Sequence, residues 1–215
     1  TAKLELGHID EAIKHYNIAL SLDANYLDAL YNLGNALRDN GSYAEAATYY
    51  RRCFNIQPQH LPAFNNYAIC LLEIDRQNEA VVILERALQI GPDDRQTRHN
   101  LGLALQMSGR ADDAADQYQI ILKRDPNDTA ALNAYAASLI TALRLEEAEV
   151  VVAKARIIAP GDFDTLINSG NLHQLQKRYS EAEATYRKTI ELFQNSAGAQ
   201  QNLAQLHVAQ GNHEE

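Results

Sequence analysis

From residue 28 to 41 the chain reads DALYNLGNALRDNG, with Leu30, Leu33 and Leu37 at helical spacing and polar residues set between them. That periodicity predicts an amphipathic helix to about Asn40, stopped at Gly41, a residue suited to a left-handed cap. A second helix is predicted from Ser42–Tyr43 to a stop before Pro58, whose ring cannot continue it. Helices of about a dozen residues are marginal alone in water, so their stability has to come from packing on one another.

The pattern recurs. Pro58, Pro92, Pro126 and Pro160 fall 34 residues apart, and the other positions align at the same period. Ala12, Ala46, Ala80, Ala114, Ala148 and Ala182 form one column, preceded by the acidic column Glu11, Glu45, Glu79, Asp113, Glu147 and Glu181. Large apolar columns run Tyr16, Tyr50, Leu84, Tyr118, Val152, Tyr186 and Leu33, Tyr67, Leu101, Tyr135, Ser169, Leu203. The second is followed by the small residues Gly34, Ala68, Gly102, Ala136, Gly170 and Ala204, which allow close approach of a neighbouring helix. Asp94, Asp128 and Asp162 share a column where a helix N-cap is due. The layout is a partial repeat over 1–26, complete repeats over 27–60, 61–94, 95–128, 129–162 and 163–196, and a partial repeat over 197–215.

A 34-residue helix–turn–helix period with these columns resembles the tetratricopeptide repeat. The pattern is carried by Leu30-x2-Leu33-Gly34-x2-Leu37…Ala46-x3-Tyr50…Pro58 and by Arg98-x2-Leu101-Gly102-x2-Leu105…Ala114-x3-Tyr118…Pro126. The family's tryptophan column is filled apolarly by Leu30, Phe64, Leu132 and Leu166. The resemblance implies an all-α, right-handed solenoid whose first helices line a concave groove. Because the last residues, Glu214–Glu215, stop where the alanine column is due, the chain reads as a piece of a longer protein.

Composition narrows the function classes. A formal net charge of -9 argues against a phosphate-binding surface, so no nucleic-acid partner is expected. No apolar run approaches the length of a membrane span, and no leader segment is visible. Cys53 and Cys70 have no CxxC partner, read as small packing residues, and favour a reducing, cytoplasmic location. No phosphate-cradling loop, metalloprotease helix or nucleophile elbow occurs, so no catalytic residues, metal or cofactor are expected within this segment. His173 and His207 share a column with the inward-facing Leu37, Leu71, Leu105 and Leu139 and read as core or partly exposed side chains rather than ligands. Glu146 and Glu147 read as a solvated first turn of a helix.

What remains is a surface. On each first helix a stripe runs through Asp28, Tyr31, Asn32, Asn35 and Arg38. Its Asn32 column reads Asn32, Asn66, Asn100, Ala134, Asn168, Asn202, and the Asn35 column holds a second asparagine at Asn171. Ile69, Leu72, Leu103, Met107 and Ile140 make the middle of this face apolar. A carboxamide offers an acceptor and two donors, so such a row suits the backbone of an extended peptide, with Ile69, Leu72, Leu103 and Ile140 receiving its side chains. The same amides equally suit a structural brace to the next repeat. The ladder resembles that of the O-linked N-acetylglucosamine transferases, which implies a substrate-holding region of such an enzyme as one alternative. A carboxylate clamp of the chaperone-binding type does not fit. Asn35 and Asn66 match its amides, but Tyr31, Gln96 and Asn100 stand where its cations are needed. The sequence thus predicts a non-catalytic scaffold for a protein or peptide partner. Self-association through exposed end repeats is a further alternative.

Overall fold

The computed structural model describes the backbone of residues 2–194 and 196–211, with side chains from His8 onward. The end of the final partial repeat, including Glu214–Glu215, lies outside the described residues. All regular structure among the described residues is α-helical, and it divides into two compact units on either side of Gly109–Arg110. The first unit holds α1 (Ala2–Leu22), α2 (Leu27–Asp39), α3 (Tyr43–Ile56), α4 (Leu61–Glu73), α5 (Gln77–Ile90) and α6 (Arg95–Met107). The second holds α7 (Ala111–Arg124), α8 (Thr129–Thr141), α9 (Leu145–Ile158), α10 (Phe163–Leu175), α11 (Tyr179–Leu192) and α12 (Ala197–Gly211). Within each unit every helix packs on the next in sequence, and α4 also meets α6, as α8 meets α10. This is the all-α repeat architecture that the 34-residue period predicts.

Side-chain chemistry sets the helix boundaries. The carboxylates of Asp94, Asp128 and Asp162 accept from the backbone N–H of Thr97, Ala131 and Thr165 at 2.7, 3.0 and 3.0 Å, capping α6, α8 and α10. The same column continues with different chemistry. His60 Nδ1 caps α4 from Ala63 N–H at 3.1 Å, and Ser196 Oγ caps α12 from Ala199 N–H at 3.2 Å. The first helices end in a six-to-one closure: Ser42 N–H donates to Leu37 O at 2.8 Å, and Gly41 takes φ +78°. The Gly41 column holds the left-handed conformation even without glycine, at Asp75, Leu143 and Lys177 with φ of 57°, 59° and 60°.

One element departs from the frame. α1 runs unbroken through Gly7, which is in column with Gly41, where the repeat places a turn. Continuing the helix keeps the backbone N–H and C=O groups of that stretch bonded to each other.

The cores are built from the columns. Ala46, Ala80, Ala114, Ala148 and Ala182 are all fully buried, as are Tyr50 and Tyr186. A Cβ on Gly34 would stand 2.8 Å from the Tyr50 ring, and one on Gly170 only 2.3 Å from the Tyr186 ring, so these glycines let the rings lie on helix backbone. The acidic column is also explained. Glu79, Asp113, Glu147 and Glu181 pair with Arg76, Arg110, Arg144 and Arg178 at 2.5, 2.7, 2.8 and 2.7 Å, each arginine at the helix N-cap three residues before. These pairs are solvent-exposed, so they fix the turn more than they stabilise it. Cys53 and Cys70 are buried free thiols. Burial pushes both up to about 11, which leaves them protonated and unreactive at neutral pH.

Candidate functional site

The asparagine face lies on the first helices, and each unit presents its own part. In the first unit Asn32 is exposed and makes no side-chain hydrogen bond with a described residue. Asn35 Oδ1 accepts from the Tyr50 hydroxyl at 2.8 Å and from Asn66 Nδ2 at 3.0 Å, and the same Nδ2 lies 3.2 Å from Tyr31 Oη. The half-buried Asn66 thus braces its helix to the repeat before, while its Oδ1 accepts from no described group. Asn100 is buried. Its Nδ2 donates to Asn65 Oδ1 at 3.3 Å and its Oδ1 accepts from Gln96 Nε2 at 2.9 Å, so both ends of that amide are occupied. Ile69 is half-buried, Leu72 is covered, and Leu103 and Met107 are exposed on α6.

The second unit repeats the arrangement. Asn171 Oδ1 accepts from the Tyr186 hydroxyl at 2.8 Å and from Asn202 Nδ2 at 3.2 Å, the same three-group chain as Tyr50, Asn35 and Asn66. Asn168 is buried and donates to the Asn133 backbone carbonyl at 2.9 Å. Asn171 Nδ2 and Asn202 Oδ1 have no partner among the described residues, so one donor and one acceptor stand side by side. Both residues line a cleft of about 400 Å³ between α8, α10 and α12. α8 and the turn after it contribute Ile140, Thr141 and Leu143, α10 contributes Asn171, Gln174 and Leu175, and α12 contributes Asn202 and Gln205. Ile140 is mostly covered at its base, while Leu143 is 67% and Leu175 44% exposed.

Of the residues singled out in the sequence, Ile140, Asn171 and Asn202 come together in this cleft. Asn66 and Asn35 form the matching pair in the first unit. Asn100 and Asn168 are taken into the packing. The hydrogen-bonding role of Tyr50 and Tyr186, which the sequence shows only as an apolar column, and the cleft residues Leu143 and Leu175 escaped the sequence reading. Their signals were present: Asn35 and Asn171 each stand fifteen residues before a tyrosine, and Leu143 occupies the turn column of Gly41 and Gly109.

His173 is 9% exposed, and its Nδ1 has no hydrogen-bond partner. Burial, followed by the charge of Arg178, pushes the imidazole below its ordinary value. His207 is exposed on α12 beside Gln210. Among the described residues no group of three or more His, Cys, Asp and Glu side chains is placed to hold a metal ion. No described helix is long and apolar enough to cross a membrane.

Family models match along most of this length. Residues 99–163 and 163–196 match tetratricopeptide-repeat models, and residues 5–87 match the model of anaphase-promoting complex, cyclosome, subunit 3. The solved structure of YrrB, a TPR protein with an unusual peptide-binding site, aligns with a TM-score of 0.65 at 19% identity, over 86% of this chain and 96% of that one. This chain is a tetratricopeptide-repeat protein. Other tetratricopeptide-like structures align as well. PilW, a widely conserved type IV pilus biogenesis factor, has a TM-score of 0.76 at 18% identity, covering 92% of this chain and 90% of that one. The APC/C hetero-tetramer Cut9–Hcn1 aligns with a TM-score of 0.74 at 16% identity, over 95% of this tetratricopeptide-repeat chain but 40% of that one. At such identities the likeness is one of fold. A comparison with curated protein sequences found no match.

Proposed function

We propose that the protein is an interaction scaffold whose first-helix faces hold an extended segment of a partner protein, and that the second-unit cleft is the best-formed seat for it. The observation that carries this reading is a cleft whose lining combines exposed Leu143 and Leu175 with Asn171 and Asn202, whose Nδ2 and Oδ1 are uncommitted among the described residues. A peptide unit lying between them gives its carbonyl to Asn171 and its N–H to Asn202, while an apolar side chain covers Leu143, Leu175 and Ile140. Because Asn202 Nδ2 is already bonded to Asn171 Oδ1, both amides are held in one orientation before the peptide arrives, and little side-chain freedom is lost on binding. Leu143 supports the reading further. A leucine in the left-handed region is disfavoured by about 1–2 kcal/mol, and this one is kept there with most of its surface in water.

The test uses a peptide selected from a random display library on the immobilised protein, with affinity read by fluorescence anisotropy. Leu143→Asp and Leu175→Asp replace exposed side chains, and aspartate tolerates the left-handed turn, so both variants are expected to keep the wild-type melting temperature within a few degrees. Each is expected to weaken binding at least about tenfold, the loss of one buried apolar contact. Unchanged affinity in both would remove the cleft from the account.

A further inference from the structure

The second unit contains another cleft, on the opposite flank of α10, that the first-helix face does not use. One column that carries bulk elsewhere loses it here: Ser169 stands where the sequence has Leu33, Tyr67, Leu101, Tyr135 and Leu203. The missing volume opens as a cleft of about 410 Å³ between α9, α10 and α11, within the size range of ligand pockets. Its floor is the buried pair Leu166 and Ser169; Ile157, 82% exposed, stands at its rim; and Arg156 and Lys188 face into it. Ser169 makes no side-chain hydrogen bond among the described residues.

The cleft carries positive charge in an acidic chain. The chain has a formal net charge of -9, and the arginines that open α5, α7, α9 and α11 are each paired with a carboxylate. Arg156 and Lys188 have no ion pair or hydrogen bond among the described residues, and no carboxylate lines the cleft. Two cations without an ion pair therefore flank a cleft floored by Leu166 and Ser169.

The molecule itself shows what such a space accommodates. Three repeats earlier, in the first unit, the positions of Arg156, Leu166, Ser169 and Lys188 are held by Phe54, Phe64, Tyr67 and Arg86. There Phe54 stacks on Phe64 at 4.3 Å and meets Tyr67 edge-on at 5.4 Å, with the Arg86 guanidinium 5.2 Å above the Phe64 ring and 5.8 Å above that of Phe54. In the second unit all three rings are replaced, by Arg156, Leu166 and Ser169, and a cation remains at Lys188.

From this correspondence we infer that the cleft between α9, α10 and α11 is a second binding site, taking an aromatic side chain of an acidic partner segment. The ring fills the space left by Ser169, the place that the Tyr67 ring takes in the first unit, with the Lys188 ammonium close by. A carboxylate beside it in the partner's sequence is bonded by Arg156 and Lys188. The site goes beyond the peptide seat on the first-helix face and shares no lining residue with it, so either can fail without the other.

The probe is the acetylated, amidated tripeptide Asp-Phe-Asp, titrated into the full chain and followed by amide NMR shifts. Asn-Phe-Asn and Asp-Ala-Asp serve as controls for charge and for the ring. Saturable shifts at Ile157, Ser169 and Thr185 are expected, with a dissociation constant of about 1 mM or tighter and at least about fivefold weaker binding of either control. Ser169→Tyr restores the side chain that the column carries at Tyr67 and Tyr135, closes the space and is expected to abolish binding. The double variant Arg156→Glu, Lys188→Glu changes only exposed side chains and is expected to lower affinity at least about tenfold. Absence of saturable shifts at these residues overturns the inference. So does equal binding of all three tripeptides, or a charge-reversed variant that binds as well as the wild type.

Discussion

An asparagine side chain brings two donors and an acceptor, and this protein divides them between the stack and its surface. Asn66 and Asn202 direct Nδ2 at the preceding repeat and leave Oδ1 outward. Asn100 and Asn168 are drawn inside. The sequence displayed the column, but the direction of each amide depends on neighbours in another repeat, such as Asn35 and Asn65, and that information is tertiary. His173 was legible as an odd residue in a leucine column; its orphaned Nδ1 was not. Its pH behaviour follows from burial. The unfolded chain takes up a proton near the ordinary value of 6.5, whereas the buried ring resists until lower pH. Between those points the unfolded state binds more protons, so stability rises with pH through the window and is lost as pH falls below 6.5. His173→Leu, which restores the column's residue, is expected to raise unfolding free energy by about 1–3 kcal/mol and to flatten this acid-side slope. Urea unfolding on either side of the window measures both, and an unaltered slope would assign the pH dependence to other groups.

At the scale of the helix, the same substitution is predicted to act with opposite sign at two glycines. Alanine is the better helix former by about 1 kcal/mol, which alone favours Gly→Ala in any helix. At Gly170 the new Cβ meets the Tyr186 ring at 2.3 Å, and that ring is fully buried with its hydroxyl held by Asn171. Overpacking of this kind costs about 1–3 kcal/mol and outweighs the propensity gain, so Gly170→Ala is expected to destabilise. At Gly198 in α12 nothing lies within 4 Å of the added carbon, and Gly198→Ala is expected to be neutral or stabilising. Thermal unfolding of the two variants decides; a shared sign would contradict the packing account. The helices and their Asp94, Asp128 and Asp162 caps were readable from periodicity and capping chemistry. The cap from His60 and the unbroken run of α1 through Gly7 were not, because histidine is an uncommon cap and a turn signal yields when helix continuation satisfies the backbone.

For the molecule as a whole, the 34-residue period did most of the work. Once it is seen, the core, the turns and a polar face follow from which column a residue occupies. What the period cannot display is a local absence. The α9–α11 cleft lies where Ser169 lacks the bulk of its column, and the first-helix cleft has its apolar surface where Leu143 and Leu175 stand in columns that mostly carry glycine or polar residues. Function in a repeat array resides in such departures from the average unit. The central claim, that the first-helix face of the second unit receives a partner's backbone, is tested most directly by side-chain amide NMR on the protein with its library-selected peptide. The account predicts that the side-chain NH2 signals of Asn171, Asn202 and Gln205 shift together with the Leu143 and Leu175 methyls. Perturbations confined to other surfaces, with these amides unmoved at saturation, would contradict it.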